Sequence, residues 1–226
     1  MRLPAIVLNF KAYPESRGEG ALKLSLAAKR LADENNKTVV VCPSQLDVHA
    51  VASRLAATPF FEVFGQHADF NADGAFTGSV TSEALLAAGC RGSLLNHSER
   101  KIGIEAVELT VKRANAAGLY LIVCADSVAE AKAIAKFSPP CIAVEPPELI
   151  GSGISVSTAK PDVVTDSVKE IKGIDEKIAV LVGAGVSNAA DVRKSVELGA
   201  EGVLLASAFV KAKSPAKLLE GMLAEL

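Results

Sequence analysis

Tryptophan is absent from this chain, and phenylalanine and tyrosine together supply only 4% of its residues, although 50% are hydrophobic. A core so poor in large rings must be assembled from Ala, Val, Leu and Ile packed in layers. Strong charge of one sign is also missing. The formal net charge is −2, which excludes the basic surface a nucleic acid would need. Long hydrophobic runs are lacking too: the stretch over residues 1–11 is broken by Asn9 and Lys11, too early for a signal peptide or a membrane span. A cytoplasmic location without a membrane partner is the expectation. Cys42, Cys90, Cys124 and Cys141 form no C-x-x-C pair, and each lies in or beside an apolar run, so buried, reduced thiols are expected. His49, His67 and His97 are far apart and lack helical metal spacing, so no protein-bound metal is expected.

What the chain does have is regularity. Runs rich in Val, Ile and Leu recur around residues 5–9, 38–42, 60–65, 92–96, 120–124, 141–145, 178–182 and 202–206. Segments of helical period lie between them, with Leu24, Ala27, Ala28 and Leu31 on one face and Ile104, Val107, Val111 and Ala114 on another. Gly89, Gly118 and Gly199 stand where helices would end just before strands. Runs that are apolar at consecutive positions suit strands covered on both faces, which is the parallel arrangement. Eight strand–helix units of about 28 residues each suit an α/β chain folded as one eight-stranded parallel (β/α)8 barrel domain over residues 1–226. An open doubly wound sheet is the alternative. Closure is favoured by an internal echo: residues 89–95 and 199–205 share G-x-x-G-x-L-L, four units apart, as half-barrel repeats would.

Candidate chemistry clusters at the ends of the apolar runs, where a parallel barrel builds its active site. Asn9 and Lys11 are two apart at the end of the first run, so their side chains share a direction. Taken alone, that pair also fits a polar strand end with a solvated lysine. His97 follows the fourth run and, with Ser98 and Glu99, resembles a helix start, where N–H groups and the helix dipole disfavour imidazolium. Such a neutral ring can donate a hydrogen bond to a carbonyl oxygen. Glu145 ends the sixth run and is followed by Pro146 and Pro147, which restrict the backbone behind it; that placement suits a general base, and an ion-paired strand end is the plainer alternative. The stretch Ile150-Gly151-Ser152-Gly153 resembles the far hinge of a lid. Two loops of small residues, 183–187 and 206–208, follow the seventh and eighth runs, where backbone N–H groups could approach an anion.

In this order and spacing, N-F-K at 9–11, A-F-T-G at 75–78, N-H-S-E at 96–99, V-E-P-P-E-L-I-G-S-G at 144–153, G-A-G-V at 183–186 and L-L-A-S-A at 204–208 resemble the triosephosphate isomerase family over nearly the whole chain. The short length and the P-P-E-L-I lid resemble the archaeal branch; bacterial and eukaryotic members usually carry P-V-W-A-I there. Val182-Gly183-Ala184-Gly185 stands where those members have Y-G-G-S, so the tyrosine and serine that help latch their lid are absent.

The resemblance implies an isomerase that interconverts dihydroxyacetone phosphate and D-glyceraldehyde 3-phosphate through an enediolate, in glycolysis and gluconeogenesis, without a cofactor. It implies Glu145 as the base, His97 as the group that polarises the carbonyl, and Lys11 with Asn9 as support for the developing charge. Glu99 would stand behind them and position Lys11. The phosphate would be held by main-chain groups near Ile150, Gly151, Gly185, Ala206 and Ser207. A homotetramer is also implied, a dimer of dimers in which the loop 75–78 enters the neighbouring subunit. The alternatives are another phosphate-binding barrel, an aldolase or epimerase, which would need a Schiff-base lysine or a metal cluster, and a non-catalytic sugar-phosphate-binding barrel.

Overall fold

Strands that are apolar on consecutive positions must be covered on both faces, and a closed parallel sheet wrapped in helices does so. The computed structural model describes residues 1–151 and 154–226. Within them run β1 (Ala5–Asn9), β2 (Thr38–Cys42), β3 (Phe61–Gly65), β4 (Gly92–Leu95), β5 (Tyr120–Ala125), β6 (Cys141–Val144), β7 (Ala179–Val182) and β8 (Gly202–Leu205). They pair in parallel in that order, and β8 returns to β1 with Ala5 opposite Gly202 and Val7 opposite Leu204. The barrel is closed, as the half-barrel echo suggests, and every expected strand lies within one residue of its expected bounds. Among the described residues, no helix is long and apolar enough to cross a membrane.

The two-residue period of each strand divides the core. Val7, Val40, Phe64, Leu94, Ile122, Ala143, Leu181 and Leu204 pack together in one cluster, the barrel interior, with Cys42, Cys124 and Cys141 among them. Their sequence neighbours Ile6, Leu8, Val39, Val41, Val63, Leu95, Val123, Ile142, Val180, Val203 and Leu205 belong to a second cluster against the helices. All four cysteines are free and buried. Val107, Val111 and Ala114 of the helix Ile104–Ala117 join the outer core, but Ile104 does not: it is 44% exposed, as is Leu109 at 48%. Ile104 stands in the first turn of that helix.

The two repeat segments have the same local geometry. Gly89 and Gly199 take φ of 95° and 94°, and Cys90 and Ala200 both donate to the carbonyl five residues back. Gly92 and Gly202 then open β4 and β8, Leu94 and Leu204 turn inward, and Leu95 and Leu205 turn outward. A Cβ at either glycine would run into the carbonyl oxygen of the adjoining strand, Tyr120 O or Ala5 O. The repeat therefore marks two places where strands must approach without a side chain between them.

At Gly202, where φ is +144° as well, alanine should reduce the unfolding free energy by about 2–4 kcal/mol. At Gly221, inside the helix Pro215–Leu223 with open space around it, alanine should raise it by about 0.5–1 kcal/mol. Urea unfolding of the two variants beside the wild type tests both signs.

Candidate active site

Strand parity selects which side chains reach the mouth. Asn9 continues the inward row of Val7, and Glu145 that of Cys141 and Ala143; Gly183 continues Ala179 and Leu181, and Ala206 continues Leu204. All four line one cavity of about 250 Å³ with Lys11, His97, Ile150, Gly151, Gly185 and Ser207. Glu99 lies just beyond, on an adjoining recess shared with Asn9, Lys11 and His97. Every proposed site residue is thus brought to one end of the barrel. Lys11 keeps the parity of Asn9, whereas His97 breaks the alternation. His97 has the parity of outward-facing Leu95, and its entry into the mouth follows from Asn96, whose φ is +58°. Lys11 itself takes φ +49°.

Glu145 and His97 face each other, with Nε2 of the imidazole 3.8 Å from Oε1 of the carboxylate. The Glu145 N–H donates to Ala125 O at 2.8 Å, fixing the end of β6 to β5. Its side chain is buried, and Oε2 has no hydrogen-bond partner among the described residues. Desolvation pushes the Glu145 carboxyl up from its ordinary value to about 7, against the Cys124 thiol and the Lys11 charge, which favour ionisation. On the fourth side stands Gly183: a Cβ there would lie 2.6 Å from Glu145 Oε1. Only glycine leaves room for the carboxylate.

His97 is held below the usual imidazole range by burial first and by the Lys11 charge second, with Glu99 and Asp126 opposing. Its Nδ1 accepts the Glu99 N–H at 3.1 Å, so the proton of the neutral ring sits on Nε2, facing the mouth. The expected helix start is only a 3-10 turn, Ser98–Arg100. One turn accumulates little macrodipole; the direct N–H to Nδ1 contact does the work instead.

Lys11 Nζ pairs with Glu99 Oε1 at 2.6 Å, and the Lys11 N–H donates to Asn9 Oδ1 at 3.0 Å. With its oxygen engaged, Asn9 offers amide N–H groups as donors. The opposite wall is the small-residue loop after β7 and the short helix Ser207–Val210, whose first N–H groups have no partner within the helix. Of the lid, Pro147–Leu149 forms a 3-10 turn, and Glu148 pairs with Lys160. Ser152 and Gly153 of the expected hinge lie outside the described residues.

Three contributions escape sequence reasoning. Tyr13 lines the cavity and lies under Lys211 Nζ, 4.1 Å from the ring centroid; nothing in its spacing signals this. Gly183 acts through its missing side chain, and Asn96 through its backbone. The signal for Asn96 was the parity break between Leu95 and His97.

The family model described as triosephosphate isomerase matches residues 4–222. The chain is similar to the triosephosphate isomerases of Methanobrevibacter smithii and of Methanothermus fervidus, each 43% identical over 226 residues and covered over 100% of both chains. It is also similar to that of Methanosarcina barkeri, 42% identical over 223 residues, 99% of each chain.

Burial of the carboxylate has a stability consequence with a definite sign. Below about pH 4.5 Glu145 is protonated in both the folded and the unfolded chain; above about 7 the folded protein holds a buried charge that the unfolded chain gives to water. Stability contributed by the proton is therefore lost as pH rises between those values, by about 3 kcal/mol. Glu145→Gln should be more stable than wild type by up to that amount at pH 8 and about equal to it at pH 4, measured by urea unfolding at both pH values.

Proposed function

The chain belongs to the triosephosphate isomerase family, and from that premise we propose how it interconverts dihydroxyacetone phosphate and D-glyceraldehyde 3-phosphate: Glu145 as the base, His97 as the electrophile, Lys11 and Asn9 as charge support. The observation that carries the proposal is the opposition of Glu145 and His97 across a mouth that Lys11 also enters. The family match does not favour an aldolase or epimerase.

With the carbonyl and the adjacent carbinol carbon between them, Glu145 removes a proton from the carbon next to the carbonyl. His97 Nε2–H and the Asn9 amide donate to the oxygens on which negative charge grows. Lys11 supplies a full positive charge beside them. Return of the proton by Glu145 to the neighbouring carbon completes the exchange, and the chemistry asks for no group beyond these side chains. A base whose carboxyl titrates near 7 is matched to neutral working pH. The phosphate is gripped by main-chain N–H groups near Ile150, Gly151, Gly185, Ala206 and Ser207, and Glu99 holds Lys11 in place. Closure of the lid excludes water from the enediolate.

We further read the whole chain as one domain, acting in glycolysis and gluconeogenesis in the cytoplasm as a homotetramer. The support for assembly is apolar surface: Phe76 is 49% exposed on the loop 75–78, Leu46 is 95% exposed, and Ile104 and Leu109 stand out from their helix. The first pair suits a dimer contact in which the loop supports the neighbour's site; the second suits the pairing of dimers.

A coupled assay on dihydroxyacetone phosphate without added metal or cofactor should show turnover, and Glu145→Gln should lower kcat by about 10²- to 10⁴-fold while leaving the fold intact. Near-wild-type kcat would remove Glu145 from its role. Light scattering at micromolar concentration should give four subunits, and Phe76→Asp with Thr77→Arg should give monomers of strongly reduced activity. A fully active monomer would separate assembly from catalysis.

A further inference from the structure

The strand that carries His97 would, on its own period, send that ring outward beside Leu95. The turn into the mouth is made at Asn96, a buried residue held at φ +58°, a region asparagine tolerates better than other residues with a Cβ. Conformational tolerance does not account for its side chain, which has three partners. Oδ1 accepts the Ile102 N–H at 3.1 Å, closing the loop that carries His97 onto its own start. Nδ2 donates to Cys124 O and to Glu130 Oε1, both at 3.0 Å. The first bond reaches the end of β5; the second reaches the helix Val128–Ala135.

Glu130 is itself engaged. Its Oε1 also receives Lys101 Nζ at 2.5 Å, and its Oε2 accepts the Asp126 N–H at 2.7 Å. These bonds hold its carboxyl below the ordinary carboxylate value although burial pushes the other way. A single ionised carboxylate thus ties together the two ends of the His97 loop, through Asn96 and Lys101, and the loop after β5. That second loop adjoins the Glu145 base: Ala125 O receives the Glu145 N–H, and Cys124 contributes its thiol to the carboxyl's surroundings. The polar cluster of Asn96, Lys101 and Glu130 therefore lies behind both groups and does not line the cavity.

We propose that Asn96, fixed by Glu130, is a positioning residue that sets the direction and tautomer of His97 relative to Glu145. The inference rests on His97 being the electrophile. Without the Asn96 amide, the backbone can still turn at residue 96, but the loop is no longer pinned at Ile102 or tied to β5. Nδ1 of His97 then exchanges its fixed Glu99 N–H for a population of orientations. A ring displaced by about 1 Å is enough to slow a proton transfer by about 10²-fold.

The test uses the whole chain and five variants. Asn96→Gly keeps the left-handed backbone and removes the amide; it should lower kcat by about 10- to 100-fold with KM within about twofold, and ¹⁵N NMR of His97 should show mixed tautomers in place of a single ring protonated at Nε2. Asn96→Asp opposes two carboxylates and should lose more. Adding Glu130→Gln to it, which supplies a donor for the new carboxylate, should restore kcat to within about tenfold of wild type. Circular dichroism establishes that each variant is folded, and Glu130→Gln alone supplies a second disruption should Asn96→Asp not fold. Wild-type kcat with a single His97 tautomer in Asn96→Gly would overturn the proposal, as would a loss confined to KM or a double variant no better than Asn96→Asp. His97→Gln is the control on the underlying reading: wild-type kcat there would remove His97 itself, whereas a strong loss there with unaffected Asn96 variants would remove only the positioning role.

Discussion

One interaction organises this molecule: a carboxylate held in a place where water does not compensate it. Glu145 closes an inward row of apolar residues, has one oxygen without a hydrogen-bond partner among the described residues, and borders Gly183, where any side chain would displace it. Burial of this kind destabilises the ionised form, which the Lys11 charge and the Cys124 thiol offset only in part. The same environment that weakens the fold at high pH makes the carboxylate a stronger base than it would be in water. Function and local instability are one arrangement seen from two sides.

The rest of the barrel supplies rigidity for that arrangement. Backbone bonds along β5, β6 and β7 fix the end of the Glu145 strand, through Glu145 N–H to Ala125 O and Gly183 N–H to Val144 O. The imidazole opposite is kept neutral by burial, by Lys11 and by an N–H donor at Nδ1. Lys11 is held by Glu99, and from there its charge favours the ionised form of Glu145.

The strands were legible because a barrel wall needs apolar residues on both faces, and that requirement leaves consecutive Val, Ile and Leu at each of the eight positions. Asn9 and Glu145 were legible as polar residues that end apolar runs, and Ala206 as part of a small-residue loop after the eighth; in the structure each extends an inward row by one more period. Lys11 was read from the two-residue period it shares with Asn9, whereas His97 was identified by its place after a strand and by family resemblance, since its entry depends on a left-handed Asn96 that alternation does not encode. The helical period groups Ile104 with Val107, Val111 and Ala114 but does not say which of them are covered, and Ile104 stands exposed. Gly183 and the ties of Asn96 to Cys124, Ile102 and Glu130 involve partners distant in sequence, so no local pattern announces them.

The proposed chemistry and the pH-dependent stability both turn on the ionisation of one side chain, which can be observed without reference to turnover. With glutamate ¹³C-labelled at the side-chain carboxyl, the signal present in wild type and missing in Glu145→Gln can be followed across pH. A midpoint at about 7 is the result the buried geometry requires. A midpoint near 4.5, the ordinary value, would mean that water reaches the carboxylate and that the barrel mouth does not tune its base.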